Sequence, residues 1–213
     1  MSTVGSGSRY DAGSPIAAHL EPVSAMPLHN TSSHYGSLTK TFHWLTVALF
    51  AFQLYSSNVM TRSPLADSVM VISRDAHYDW HKSIGLLALL VAIARVWARR
   101  QGALPAWAPT LSETERAFVH RAEQLLYGAM FVMPVSGFVH VMAGGYGVRL
   151  FGMVDMPDPI GVWPWLAVTA KWTHVLCGWT LVLTLLAHIA LVLRHSVVLR
   201  DGLLWRMWPG RAR

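Results

Sequence analysis

The chain has 213 residues, 53% of them hydrophobic and only 13% charged, which is too apolar and too charge-poor for an ordinary soluble domain of that length. Its formal charge is +6, but the 17 Lys and Arg flank apolar segments and form no basic stripe among exposed aromatics, so a membrane protein is expected and a nucleic-acid partner is not. The single cysteine, Cys177, lies in an apolar run and excludes an intrachain disulfide or a thiolate zinc cluster.

Residues 1–36 are rich in Ser, Gly, Pro and His and lack the apolar core of a signal peptide, so they read as a disordered tail. Their histidines, His19, His29 and His34, are irregularly spaced and read as incidental. Residues 37–209 read as one domain. Four apolar stretches follow one another there, near Leu38–Val59, His81–Ala98, Ala122–Met142 and Trp172–Leu193. Each approaches the roughly 20 residues that a helix needs to cross the hydrocarbon layer. The expected fold is therefore all-α, a four-helix transmembrane bundle of the multi-pass type. The first stretch is the least apolar, because it carries Lys40, His43 and Gln53.

Basic residues orient the bundle. Arg9, Lys40, Arg95, Arg99, Arg100, Arg116, Arg121, Arg194, Arg200, Arg206, Arg211 and Arg213 fall on one side, against Arg62, Arg74, Lys82, Arg149 and Lys171 on the other. The positive-inside tendency then puts both termini in the cytoplasm and the loops near 60–79 and 143–171 outside. Tryptophans such as Trp44, Trp80, Trp97, Trp163 and Trp172 lie near the expected boundaries, as interfacial aromatics do.

His174 and His188 share the fourth stretch, and their spacing is about 40° short of four full helical turns and about 21 Å along the axis. Both therefore look from nearly one face, one toward each surface of a slab about 30 Å thick. His81 opens the second stretch at the depth of His174, and His43 lies one turn into the first at the depth of His188. Two level pairs result, His81 with His174 outside and His43 with His188 inside. Two such pairs suit two haem b groups, because haem iron takes one axial imidazole on each face, whereas a zinc site wants more ligands per level. For any one of these histidines a packed core residue is the ordinary alternative; four matched in depth argue against it.

Gly85 follows His81 by four residues and Gly178 follows His174 likewise, which either leaves room for a flat macrocycle or permits close helix packing. Arg95 repeats the 14-residue offset from His81, and either pairs with a haem propionate at the inner level or snorkels to headgroups. Arg74, Lys82 and Lys171 gather near the outer level, where they could hold propionates, attract an anion, or simply be solvated. His77, His120 and His140 have no level partner; His77, one turn before His81, is the substitute ligand should His81 not serve.

The segments Phe42-His43-Trp44, Arg74 seven residues before His81, His81-Lys82-Ser83-Ile84-Gly85-Leu86 with Arg95, Tyr127 with Pro134, and Lys171-Trp172-Thr173-His174 with His188 together resemble the bacterial cytochrome b561 family. Within it the chain resembles the short four-span superoxide oxidases, over roughly residues 37–209. The resemblance implies a bacterial inner (plasma) membrane, haems held by His43 with His188 and by His81 with His174, superoxide received at an outer basic surface, and ubiquinone in the bilayer as electron acceptor. The tail departs from the compact family pattern. The family also includes haem b subunits that serve a hydrogenase or another dehydrogenase as redox partner, and the haem motifs do not separate the two activities. The short outer loops and four spans favour the stand-alone enzyme. A haem-free transporter or scaffold is the expectation from a different class.

Overall fold

The structure, a computed structural model, describes residues 27–61 and 73–210. Expectations for residues 1–26, including Arg9 and His19, and for Arg62, Arg211 and Arg213 fall outside the described residues. Four long helices run up and down: α1 (Ser37–Met60), α2 (Arg74–Arg99), α3 (Glu113–Ala143) and α4 (Pro164–Leu193). Three are long and apolar enough to cross a membrane, α2, α3 and α4 extended through Leu199. The 24-residue α1 has the length, but Lys40, His43 and Gln53 dilute its apolar character.

Local chemistry sets each start. The first-turn N–H groups of a helix have no intrahelical partner. In α1 no side chain caps them; Ser37 N–H and Leu38 N–H donate instead to the carbonyls of Pro27 and Leu28 at 2.9 and 3.2 Å. Gly36 makes that contact possible, since a Cβ there would lie 2.4 to 2.5 Å from backbone atoms of His29 and Leu28. Residues 27–36 thus fold back on α1, and Ser32 O accepts from Ala106 N–H of the α2–α3 loop at 3.1 Å. Ser73 caps α2, and Ser112 with Glu115 forms a reciprocal capping box at α3. Pro164 opens α4, where its missing N–H costs nothing. These caps carry α2, α3 and α4 beyond their apolar stretches, which is why each begins earlier than hydropathy predicts.

Close helix pairs run α1–α2, α2–α3 and α3–α4, while α4 approaches α1 and α2 far less closely. Small residues line the tight contacts: Ala92, Ala122, Ala129, Ala167 and Ala170 are buried. Leu90, Ile93, Leu125, Leu176, Leu183 and Leu186 face outward, as lipid-facing side chains should.

Each end of the bundle is fastened. At the end that holds the α3–α4 connection a two-stranded hairpin, β1 (Arg149–Leu150) with β2 (Val154–Asp155), docks on α2. Phe151, left-handed at φ 49°, donates its N–H to Ser83 Oγ at 2.7 Å and packs edge-on against Trp80. At the opposite end a π-helical turn, Arg194–Leu199, follows α4. Arg194 pairs with Glu115, and the fully buried His195 faces Glu115 through Nε2 and Asp201 through Nδ1. Trp44 Nε1–H of α1 donates to Met207 O at 2.9 Å, which ties the chain's last segment to its first helix.

Burial pushes the Asp201 carboxyl up, but hydrogen bonds from His195, Thr110 and Leu203 N–H outweigh it and leave the group below the ordinary carboxylate range. A depressed folded pKa stabilises above the unfolded value of about 3.9 and the gain is lost as pH falls through the folded value. Asp201→Asn should therefore lower the thermal midpoint near pH 6, and the deficit should shrink below about pH 4. A deficit that stays constant in melts from pH 6 to pH 3 would contradict this role.

Candidate functional site

The outer histidines meet. His81 of α2 and His174 of α4 face each other with ring centroids 6.3 Å apart and planes at 75°. The hydrogen bonds behind them settle which nitrogen is free. His174 Nδ1 lies 2.8 Å from Met133 O, and a carbonyl only accepts, so Nδ1 carries the proton. His81 Nδ1 lies 3.0 Å from Ser56 Oγ, whose own hydrogen goes to Gln53 O at 3.2 Å, so Ser56 accepts from His81. Both rings therefore keep an Nε2 lone pair, the tautomer that metal ligation requires.

Two features of α1 and α3 seat these rings. Gln53 Nε2–H donates to His81 O at 3.0 Å and Ser56 is fully buried. On α3, a Cβ at Gly137 would lie 3.0 Å from both Cε1 and Nδ1 of His174, so a side chain there would press that ring away from the helix. Gly85 and Gly178 do something else: the first admits the Gln53 side chain, and the second has Met133 as its nearest neighbour.

The inner level is built around Arg95. His188 of α4 and Arg95 of α2 lie within electrostatic reach of His43 of α1, and Arg95 likewise reaches His188. The Arg95 guanidinium turns into the bundle, donating to Tyr127 Oη at 3.3 Å and Thr46 Oγ1 at 3.2 Å, with Nη2 3.4 Å from His43 Nδ1. It also lies over the Tyr127 ring, 5.5 Å from the centroid. This is not the snorkelled position.

Other sequence candidates lie elsewhere. His77 is buried with Nδ1 3.0 Å from Ser73 O and its ring against Tyr55, so it serves the start of α2 and not the His81–His174 pair. His140 donates toward Ala167 O, and His120 sits beside Gln124. Lys82 pairs with Asp79 at 3.1 Å and donates to Gly147 O at 3.3 Å, which compensates part of its charge. Arg74 stands half-buried in the first turn of α2, and Lys171 is exposed on α4.

Metal–imidazole bonds of about 2.0–2.1 Å place two rings on opposite sides of one ion with centroids about 6 Å apart, which the outer pair matches. Among the described residues no three or more His, Cys, Asp or Glu converge, so paired imidazoles are the donor set on offer. That set fits an iron held in a macrocycle and supplied with two axial ligands. A helical membrane bundle with inward-facing histidine pairs defines a membrane cytochrome as its class. Residues 34–210 match the family described as prokaryotic cytochrome b561. The chain is also 26% identical over 186 residues to cytochrome b561 homolog 2 of Escherichia coli (strain K12), covering 85% of this chain and 95% of that protein. The chain belongs to the prokaryotic cytochrome b561 family, and is accordingly a haem b-binding electron-transfer protein of a bacterial membrane.

Second-layer hydrogen bonds to metal-bound histidines are worth about 10–100-fold in affinity. Ser56→Ala and Gly137→Val should each raise the rate of haem loss to a competing apoprotein by about ten-fold or more. Retention equal to that of the unaltered protein in both variants would show that these supports are incidental.

Proposed function

We propose that the chain holds two haem b groups in series, His81 with His174 at the outer level and His43 with His188 at the inner, and carries electrons from superoxide to a quinone, ubiquinone where the membrane contains it. One observation carries the reading: α4 bears two histidines about 21 Å apart along its axis, and one of them, His174, faces His81 of α2, which leaves His43 of α1 as the proposed partner of His188. Haem b supplies one-electron chemistry when bound. The chain's part is to fix both pairs in depth, keep Nε2 of each outer imidazole free, and hold Arg95 at the inner level for a propionate. Both termini face the cytoplasm in this reading, which points Arg74, Lys82 and Lys171 outward.

The overall reaction balances without a nucleophile or a general base in the protein. Two superoxide anions each give up one electron and leave as dioxygen; one quinone takes the two electrons and two protons and becomes quinol. Superoxide is a small anion that needs an attractive outer field and no shaped pocket. Lys171, Arg74 and Lys82 would supply that field, Lys82 the less for its pairing with Asp79.

Stopped-flow mixing of the purified, oxidised protein with superoxide is the test. The haem bands should reduce rapidly and then reoxidise when a quinone analogue is added under anaerobic conditions. Lys171→Gln with Arg74→Gln should slow the first phase by about ten-fold at low ionic strength, and added salt should slow the unaltered protein more than the variant. Haems that stay oxidised under superoxide but reduce when a dehydrogenase is supplied would replace this reading with an electron-transfer subunit.

A further inference from the structure

The two levels differ in what stands behind their histidines. At the outer level His81 gives its Nδ1–H to Ser56 Oγ and His174 gives its own to Met133 O, so both rings rest on neutral acceptors. An imidazole whose N–H is engaged in this way is a more basic ligand, and a more basic ligand favours the oxidised metal. At the inner level His43 Nδ1 faces Arg95 Nη2 at 3.4 Å, and a guanidinium only donates. It draws electron density from that ring, where Ser56 and the Met133 carbonyl add density to theirs.

Arg95 also brings a charge that its contacts do not cancel. Its other hydrogen-bond partners are Tyr127 Oη at 3.3 Å and Thr46 Oγ1 at 3.2 Å, a phenol and an alcohol. One turn further along α2, Arg99 approaches the same Tyr127 ring, 5.6 Å from its centroid, but pairs with the Glu123 carboxylate at 2.6 Å. A guanidinium keeps its proton in proteins, so the Arg95 charge is fixed, and His43 and His188 both lie within its electrostatic reach. Reduction lowers the charge of an iron site by one. A fixed cation nearby therefore favours the reduced form, the more so where water is excluded.

We infer that Arg95 sets the order of potentials in the two-level arrangement proposed above, on which the inference rests: its guanidinium, facing His43 without a carboxylate partner, makes the inner haem the easier of the two to reduce. Electrons that enter at His81 and His174 then run downhill to His43 and His188. The step moves one electron from the outer level to the inner, with no bond made or broken. A propionate held by Arg95 leaves the sign unchanged, because propionate with arginine carries less negative charge than propionate alone.

The test is equilibrium redox potentiometry of the full haem-loaded chain, followed through its absorbance bands. The component lost in His43→Ala should titrate at the higher potential and the component lost in His81→Ala at the lower. Arg95→Gln keeps donors for Tyr127 and Thr46 but removes the charge. It should make the inner component harder to reduce by about ten-fold or more, about 59 mV for one electron, and leave the outer component where it was. Arg95→Lys keeps the charge without the planar fork and should stay near the unaltered potential, which a purely structural role would not allow. Should Arg95→Gln fail to load the inner haem, Thr46→Asp sets a carboxylate beside the guanidinium and should lower the same component alone. An inner component at or below the outer one, equal shifts of both components, or no shift in either Arg95→Gln or Thr46→Asp would overturn the inference and leave the two levels standing. A single redox component in the unaltered protein, or the same component lost in His43→Ala and His81→Ala, would instead overturn the arrangement on which the inference rests.

Discussion

In a hydrocarbon layer a helix can pair all its own backbone groups, but an imidazole cannot satisfy its own ring nitrogens. Each histidine of the His81–His174 pair therefore needs an acceptor for one N–H if the other nitrogen is to stay available, and an unmet buried donor costs about 1–3 kcal/mol. Ser56 on α1 and the Met133 carbonyl on α3 meet that need for His81 and His174. The requirement reaches well beyond the two rings. Ser56 must be buried on α1, Gly137 must lack a side chain, and α1–α2 and α3–α4 must be the close helix pairs, so that the histidines look across from one pair to the other.

Depth is the second constraint, and the ends of the bundle enforce it. A slip of α4 by one turn would move both of its histidines by about 5.4 Å, part His174 from His81, and disturb both proposed levels together. The Ser83–Phe151 bond fixes the loop that feeds α4 to α2, and the Glu115, Arg194, His195 and Asp201 cluster fixes where α4 stops against the start of α3. Trp44 then ties the closing segment back to α1, one residue from His43. These polar contacts gather near the helix ends, where the chain leaves the apolar core, and the spans between them can remain almost wholly apolar.

Helical class and the depth matching of the outer histidines were legible in sequence because both follow from fixed quantities, the rise per residue and the length of an apolar run. The limits of α1 were legible too, since polarity changes where that helix begins and ends. For α2, α3 and α4 hydropathy placed the starts about two turns late. Better signals were present in Ser73, in the Ser112 and Glu115 capping box, and in Pro164, all of which mark helix starts whatever the polarity of the first turn. The hairpin of two-residue strands is too short for any periodicity to reveal. Ser56, Gln53 and Gly137 were not legible as supports, because their contacts join helices far apart in sequence. Gly85 and Gly178 drew attention through local spacing alone, yet the glycine that touches a histidine lies on the facing helix.

Two haem sites that share α4 make the account's central claim, and low-temperature electron paramagnetic resonance of the oxidised protein tests it most directly. Two low-spin ferric signals of the bis-imidazole kind are expected, one lost in both His81→Ala and His174→Ala and the other lost in both His43→Ala and His188→Ala. A single signal in the unaltered protein, or loss of the same signal in His43→Ala and His174→Ala, would contradict the arrangement of two level pairs.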